Sequence, residues 1–238
     1  MGNSSDLKVL AVIPARGGSK GLINKNLLEI AGKSLIEFPI EFCLRSKIVT
    51  HTVVSTDSEK IQDKSLKCGA LVPFLRPPDL SSDLATTESV LKHAIDYMES
   101  NFSINYDYCV FMTATSIFRP ENLIERGIEF LEKNHEVESY FTGFRDSKNY
   151  WELDSSGNFN RVKSWMKEYS SRQIRSSLIR EDTGIGTVSR SQLWRAGRRI
   201  GNKVHIENNP DPFSSIDIHS LEDFRLAEFA HMFRNSSV

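Results

Sequence analysis

The sequence is poor in the features that would assign it at a glance. Its 238 residues hold three cysteines, Cys43, Cys68 and Cys109, far apart and with no CxxC pair. That excludes a disulfide framework or a cysteine zinc site and predicts a reducing compartment. No apolar run approaches the roughly 18 residues of a membrane span, and no basic-then-apolar leader opens the chain. The opening MGNSSD misses a myristoylation signal because its sixth residue is Asp6 rather than Ser or Thr. Charge of one sign is lacking too. Thirty Lys and Arg against 31 Asp and Glu leave a net charge of -1, too weak a field to draw nucleic acid or an anionic membrane. Repeats, low-complexity tracts and long linkers are absent. These absences predict a soluble, cytoplasmic protein in which any anion site is local. At 39% hydrophobic residues, the chain is long enough to bury one sizeable core.

What is present is alternation. LKVLAVIP (7–14) reads as a strand buried on both faces. A helical segment follows at 34–46, weakened in its first turn by Pro39. HTVVSTD (51–57) reads as a strand, and 58–69 as a helix closed by Gly69. ALVPFLRPPDL (70–80) predicts a strand running into a proline-rich loop. Val90, Leu91, Ala94, Ile95 and Met98 mark one face of a helix. DYCVFM (107–112) is a further strand and 121–133 a further amphipathic helix. Spacing of this kind implies parallel βαβ units. Residues 140–180, aromatic and polar with a turn at SSGN, break the rhythm. The domain reading is a core of 1–138 and 181–238 with a β-rich excursion at 139–180. SSIDIH (214–219) predicts a last strand end, and a final helix follows in which Ser220 and Asp223 form a capping pair.

The chemistry concentrates in IPARGGSKGLINKN (13–26), at the carboxyl end of the first strand. Glycines there let backbone N–H groups close on an anion. Gly17, Gly18 and Gly21 supply that freedom, and Arg16, Lys20 and Lys25 supply charge. Neither GxxxxGK[ST] nor GxGxxG is present, so the loop is neither of the two common phosphate cradles. A tight turn with solvated cations is the alternative.

This stretch closely resembles the signature of the cytidylyltransferases that make CMP-activated nonulosonic acids, of which the acylneuraminate (sialic acid) enzymes are the best known. The resemblance runs from Val9 to about Ala230. It implies a three-layer α/β/α sandwich around a mostly parallel, Rossmann-like sheet of the nucleotide-diphospho-sugar transferase type. It further implies transfer of CMP from CTP to a carboxylated 2-keto-3-deoxy sugar, in-line, with release of pyrophosphate. By the same resemblance Ala15, Gly17, Gly18, Ser19, Lys20 and Gly21 cradle the triphosphate. Arg16 and Lys25 contact phosphates, and Asn26 lies near the nucleoside.

Three further segments extend the likeness. VPFLRPPDLSSDLATT (72–87) resembles the family's RPxxLAxD segment, in which Arg76 would help read cytosine and Thr87 fills a small-hydroxyl position. Arg76 as a surface residue fixed between prolines is the alternative, and Asp83 is either a site residue or a helix cap. CVFMTATSIFRP (109–120) aligns with a stretch usually reading LQPTSPLR. Thr113 replaces the glutamine, Ala114 and Ile117 replace prolines, and Thr115, Ser116 and Arg119 match, which makes Thr113, Thr115 and Ser116 acceptor-side candidates. SSIDIHSLEDF (214–224) resembles the family's SIDIDT metal segment but keeps only Asp217, with His219 in place of the second acid. On a strand, i and i+2 share a face, so Asp217 would hold Mg²⁺, and His219 would either join it, favouring Mn²⁺, or stay a partly exposed histidine at a helix entrance.

SSRQIRSS (170–177) resembles an RRQ segment, so Arg172 and Gln173 would meet the sugar's carboxylate. REDTGIGTVSR (180–190) would supply backbone facing the substrate. A flexible basic surface is the alternative for both. RAGRRIG (195–201) reads as solvated. The aromatics Tyr140, Phe141, Phe144, Tyr150, Trp151, Phe159 and Trp165 imply, through the resemblance, a homodimer contact, with a local minicore as the alternative. An enzyme loading an eight-carbon octulosonic acid and a CTP-binding homologue without catalysis are the competing functions.

Overall fold

In a computed structural model that describes residues 7–18, 21–171 and 173–236, the first strand organises everything around it. Strand β1 (Val9–Pro14) is apolar throughout. Val9, Ala11 and Ile13 enter one buried cluster, while Leu10 and Val12 enter a second on the opposite face. That is the period of two imposed by the pleat, and a strand covered on both sides can be apolar at every position.

After β1 comes a hairpin of β2 (Glu29–Ile30) and β3 (Lys33–Ser34). Ala31 and Gly32 between them both take positive φ, 51° and 75°, as a two-residue primed turn requires. Then follow α1 (Glu37–Arg45), β4 (His51–Ser55), α2 (Glu59–Lys67), α3 (Thr87–Phe102), β5 (Tyr108–Phe111) and α4 (Leu123–Lys133). Pro39 falls within the first turn of α1, where a missing N–H costs no helical bond. Gly69, with φ at +92°, lies just beyond α2. The strand expected at 70–80 shrinks to two bridges, Leu71 to Val53 and Leu75 to Thr56. The prolines of this segment lack the N–H a ladder needs.

The second half supplies β6 (Ser139–Asp146), β7 (Trp151–Leu153), β8 (Phe159–Arg161), β9 (Leu178–Glu181), β10 (Thr187–Arg190), α5 (Ser191–Arg195), β11 (Val204–Asn208) and α6 (Leu221–Ser236). The main sheet has seven strands in the order β11-β6-β10-β5-β1-β4, with β9 also on β6. β4, β1 and β5 run parallel, as do β11 and β6. β10 is antiparallel to both its neighbours, and β9 to β6.

Between β6 and β9, residues 147–171 and 173–177 lie outside the main sheet. Ser139, Tyr140, Phe141 and Thr142, placed by sequence in the excursion, are buried in β6 instead. β9 and β10 lie along the same edge of β6, and residues 182–186 bulge out between them. The aromatics divide accordingly. Tyr140 and Phe141 are core, whereas Trp151, Phe159 and Tyr169 are 52%, 70% and 75% exposed.

Helices cover both faces. Ile40 and Cys43 of α1, Ile124, Ile128 and Leu131 of α4, and Ala227 and Ala230 of α6 fill one cluster. Leu91, Ala94, Ile95 and Met98 of α3 with Leu193 and Trp194 of α5 fill the other. The result is the three-layer α/β/α sandwich, and no helix among the described residues is long and apolar enough to cross a membrane. Because β1 is paired with β4 on one side and β5 on the other, the chain order reverses across β1. A crevice opens at that switch point beyond the carboxyl ends of the strands.

Candidate active site

The loops after β1 and β5 and the segment leading into α3 meet around a cleft of about 480 Å³. Its walls include Arg16, Gly21, Lys25 and Asn26 from the first loop and Arg76, Asp83, Thr86 and Thr87 from the approach to α3. Thr113 and Thr115 after β5, and His219 before α6, complete it. Eight of the sequence-predicted residues thus share one cavity with Thr113 and Thr115. Ser19, Lys20 and Arg172 lie outside the described residues.

The first loop is held from behind. Ala15 is buried and donates its N–H to the Ser55 carbonyl at 2.9 Å. The Gly17 N–H donates to Asp57 Oδ1 at 2.8 Å, and a Cβ on Gly17 would stand 2.9 Å from the Ser58 Cβ. Asn26 is buried and donates from Nδ2 to the Arg16 carbonyl at 3.0 Å, so it ties the two ends of the loop together. Asn24, at φ 53°, turns the chain into the short 3-10 helix that carries Lys25. Lys25 is half-buried, and burial pushes its pKa down, with Asp217 opposing and Arg16 reinforcing the shift. An ammonium short of solvent and near a second cation has free energy to gain from an anion. Arg16 is partly neutralised by Asp83, Nη1 to Oδ1 at 2.8 Å.

That ion pair gives Asp83 a place at the cleft rather than at a helix cap. The cap of α3 is Thr86, whose side chain accepts from the Ser89 N–H at 3.1 Å. Arg76 is buried, not a surface residue. Its Nε donates to Ser55 Oγ at 3.1 Å and its Nη2 to the Ser55 carbonyl, and burial pushes its pKa down.

On the acceptor side, Thr113 is tied to the bulge at 182–186. Its N–H and its Oγ1 both donate to the Gly184 carbonyl, at 2.9 and 3.1 Å, and Oγ1 also reaches Ser116 Oγ at 3.2 Å. A Cβ on Gly184 would meet Thr113 Oγ1 at 2.9 Å, so glycine is what lets the bulge close in. Arg119 braces the pair, donating Nε to the Ile185 carbonyl at 2.7 Å and Nη2 to the Thr113 carbonyl. Its burial pushes its pKa down to about 10. Gln173 is exposed on the excursion, and the cleft-lining residues do not include it.

The expected strand at 214–219 is a 3-10 turn, Pro212–Ser215, followed by an extended segment outside the sheet. The period of two survives. Ile216 and Ile218 are buried, while Asp217 and His219 face outward with His219 Nε2 2.8 Å from Asp217 Oδ2. The Ile218 N–H donates to the Thr115 carbonyl at 3.1 Å. The capping pair forms as expected. Asp223 Oδ2 accepts the His219 and Ser220 N–H groups, Ser220 Oγ accepts the Asp223 N–H, and the Asp223 pKa is held down by those backbone donors.

Sequence reading missed Asp57, although a carboxylate directly after a parallel strand was a legible signal. It also took the 195–201 cluster as solvated. Arg195 instead pairs with Glu99 at 2.6 Å, and Arg199 lies between Glu88 and Glu181, at 3.6 and 3.9 Å, over the Phe111 ring.

A family model described as cytidylyltransferase matches residues 10–183. A pseudaminic acid cytidylyltransferase of Campylobacter jejuni is 38% identical over 123 residues, 52% of this chain and 53% of that protein. The chain therefore spans about half the length of that curated relative. A CMP-N,N'-diacetyllegionaminic acid synthase of the same species is 28% identical over 231 residues, 97% of each. Among solved structures, a CMP:2-keto-3-deoxy-manno-octonic acid synthetase complexed with CTP has a TM-score of 0.66 at 14% identity. That match covers 95% of this chain and 99% of the other, and it is a likeness of fold.

Proposed function

Because the chain belongs to the cytidylyltransferase family, we propose that it joins CMP from CTP to the anomeric hydroxyl of a nonulosonic acid, releasing pyrophosphate. The observation that carries this reading is the first loop. It brings Arg16, a desolvated Lys25 and Gly21 to the carboxyl end of β1, across the cleft from the Thr113 loop. The two relatives named above act, by their names, on pseudaminic and legionaminic acids, which favours a nine-carbon acceptor.

In the proposed step the anomeric oxygen attacks the α-phosphorus, the bond to the bridging oxygen breaks, and pyrophosphate departs in line. The reaction needs positioning and charge neutralisation more than covalent help from the protein. Arg16 and Lys25 neutralise the departing phosphates, and the loop amides orient them. Arg76 and Asn26 face the nucleoside. Thr113, Thr115 and Ser116, with the 182–186 bulge, face the acceptor.

A divalent cation fits this geometry. Among the described residues no three His, Cys, Asp or Glu converge as a closed metal cage, but Mg²⁺ is commonly held by one or two side chains plus substrate phosphates. Asp217, outward-facing near Lys25, offers a hard oxygen for that arrangement. The cation would stabilise charge building on the phosphate oxygens.

Pyrophosphate release, measured with CTP, ATP, GTP and UTP against a panel of nonulosonic and octulosonic acids, tests the proposal. Release is expected only with CTP and a nonulosonic acid. Release confined to octulosonic acids would reassign the acceptor, and CTP binding without release under any pairing would leave a non-catalytic homologue.

The exposed aromatic face of the excursion suits a second copy of the chain, since buried aromatics dominate such interfaces. Sedimentation is expected to give a homodimer that dissociates in a Trp151→Glu, Phe159→Glu double variant. A monomeric wild type would discard the dimer.

A further inference from the structure

We infer that His219 is a ligand of the site's divalent cation through Nε2, and that the mixed nitrogen–oxygen pair it makes with Asp217 selects Mn²⁺ over Mg²⁺. The inference rests on the CTP reading above and specifies its metal.

Spacing is the first support. Two donors about 2.1 Å from one cation and at a right angle to each other stand roughly 3 Å apart. Nε2 of His219 and Oδ2 of Asp217 are 2.8 Å apart, and both side chains are more than half exposed. A cation can therefore take the place of the hydrogen bond between them without moving the backbone.

Rigidity of that backbone is the second. The His219 N–H is held by Asp223 at 3.0 Å, and the Ile218 N–H by the Thr115 carbonyl at 3.1 Å. The His219 carbonyl packs so close to Gly21 that a Cβ there would lie 2.5 Å away. Ile216 and Ile218 are buried on either side of Asp217. Outward-facing side chains on a segment pinned at 216, 218 and 219 are pre-placed, which is what a ligand pair requires.

Location is the third. His219 itself lines the cleft, with Arg16, Lys25 and Thr115, and Asp217 is close enough to Lys25 to raise its pKa against burial. The pair thus borders the space assigned to the triphosphate, whose oxygens would complete the coordination sphere. Imidazole is a poor ligand for hard Mg²⁺ and a good one for transition-series cations, so the nitrogen decides the preference.

The test is pulsed electron paramagnetic resonance on the full chain with Mn²⁺ and CTP and no acceptor, so that nothing turns over. The expected result is nitrogen modulation of the Mn²⁺ signal in the wild type that disappears in His219→Asp while Mn²⁺ stays bound. The Mg²⁺ concentration that displaces half of the Mn²⁺ should fall on the order of tenfold in the variant. Bound Mn²⁺ with no nitrogen modulation in the wild type overturns the inference and leaves the nucleotide reading standing. So does modulation unchanged in His219→Asp. Failure of Mn²⁺ and CTP to form any complex with the chain overturns the nucleotide reading, and the inference with it.

Discussion

Replacing Lys25 by methionine is expected to lower kcat by about 10²- to 10³-fold with the fold intact, because it removes a preorganised charge aimed at developing negative charge. Methionine keeps the length and apolar stem that fill the half-buried site, so circular dichroism and the melting temperature should change little. The ammonium also has a pH signature. Burial lowers its pKa in the free protein, so the cationic form is present at low and neutral pH and is lost as pH rises through that lowered value. The alkaline limb of kcat/KM, which reports the free enzyme, should therefore fall earlier than an ordinary lysine would allow. Bound phosphates favour the cation, so the limb of kcat, which reports the complex, should lie at higher pH. Lys25→Arg holds its charge across the range and should lose the early limb even if it turns over more slowly. Superimposable alkaline limbs in wild type and Lys25→Arg would remove Lys25 from this role.

The second large effect separates two glycines three residues apart. Gly21→Ala should cut kcat/KM by at least about 100-fold, a markedly larger loss than Gly18→Ala causes. A Cβ on Gly21 would sit 2.5 Å from the His219 carbonyl oxygen, while one on Gly18 meets nothing within 4 Å. The atom in the way is backbone, and that backbone is itself fixed by Asp223 and Thr115. The first loop must move away from the 217–219 segment, which separates Lys25 from Asp217 and His219. Overpacking of this kind costs about 1–3 kcal/mol, a melting shift of several degrees for a chain of this size. Kinetics at a temperature well below both melting points isolates the site effect. Equal losses in the two variants would show that loop flexibility, not close approach, is what Gly21 provides.

Much of this is legible in the sequence. The apolar run of β1, the periodic face Val90, Leu91, Ala94, Ile95 and Met98 of α3, and the Ser220–Asp223 cap all formed as read. Each depends on neighbours within a few residues, where period and propensity act. Of 70–80, read as a strand running into a proline-rich loop, the strand part shrinks to two bridges, because its prolines lack the N–H groups a ladder needs. Phe141 and Tyr140 were assigned to the excursion because aromatic composition alone does not distinguish a core strand from an exposed hairpin.

By itself, then, the sequence determined the alternation of strands and helices, the three-layer class and the cationic glycine loop at the end of the first strand. The Asp217–His219 alternation was determined there too, by the buried isoleucines on either side. Tertiary structure alone decided the reversed strand β10, the bulge that carries Gly184 to Thr113, and the bracing of Arg119 across it. It also decided the contacts of Asp57 with Gly17, Asp83 with Arg16, and Arg199 with Glu88 and Glu181. These join residues between 18 and 111 positions apart in the chain. No local period encodes such a meeting. It follows from which strand lies beside which, and that is settled only when both faces of the sheet are buried at once.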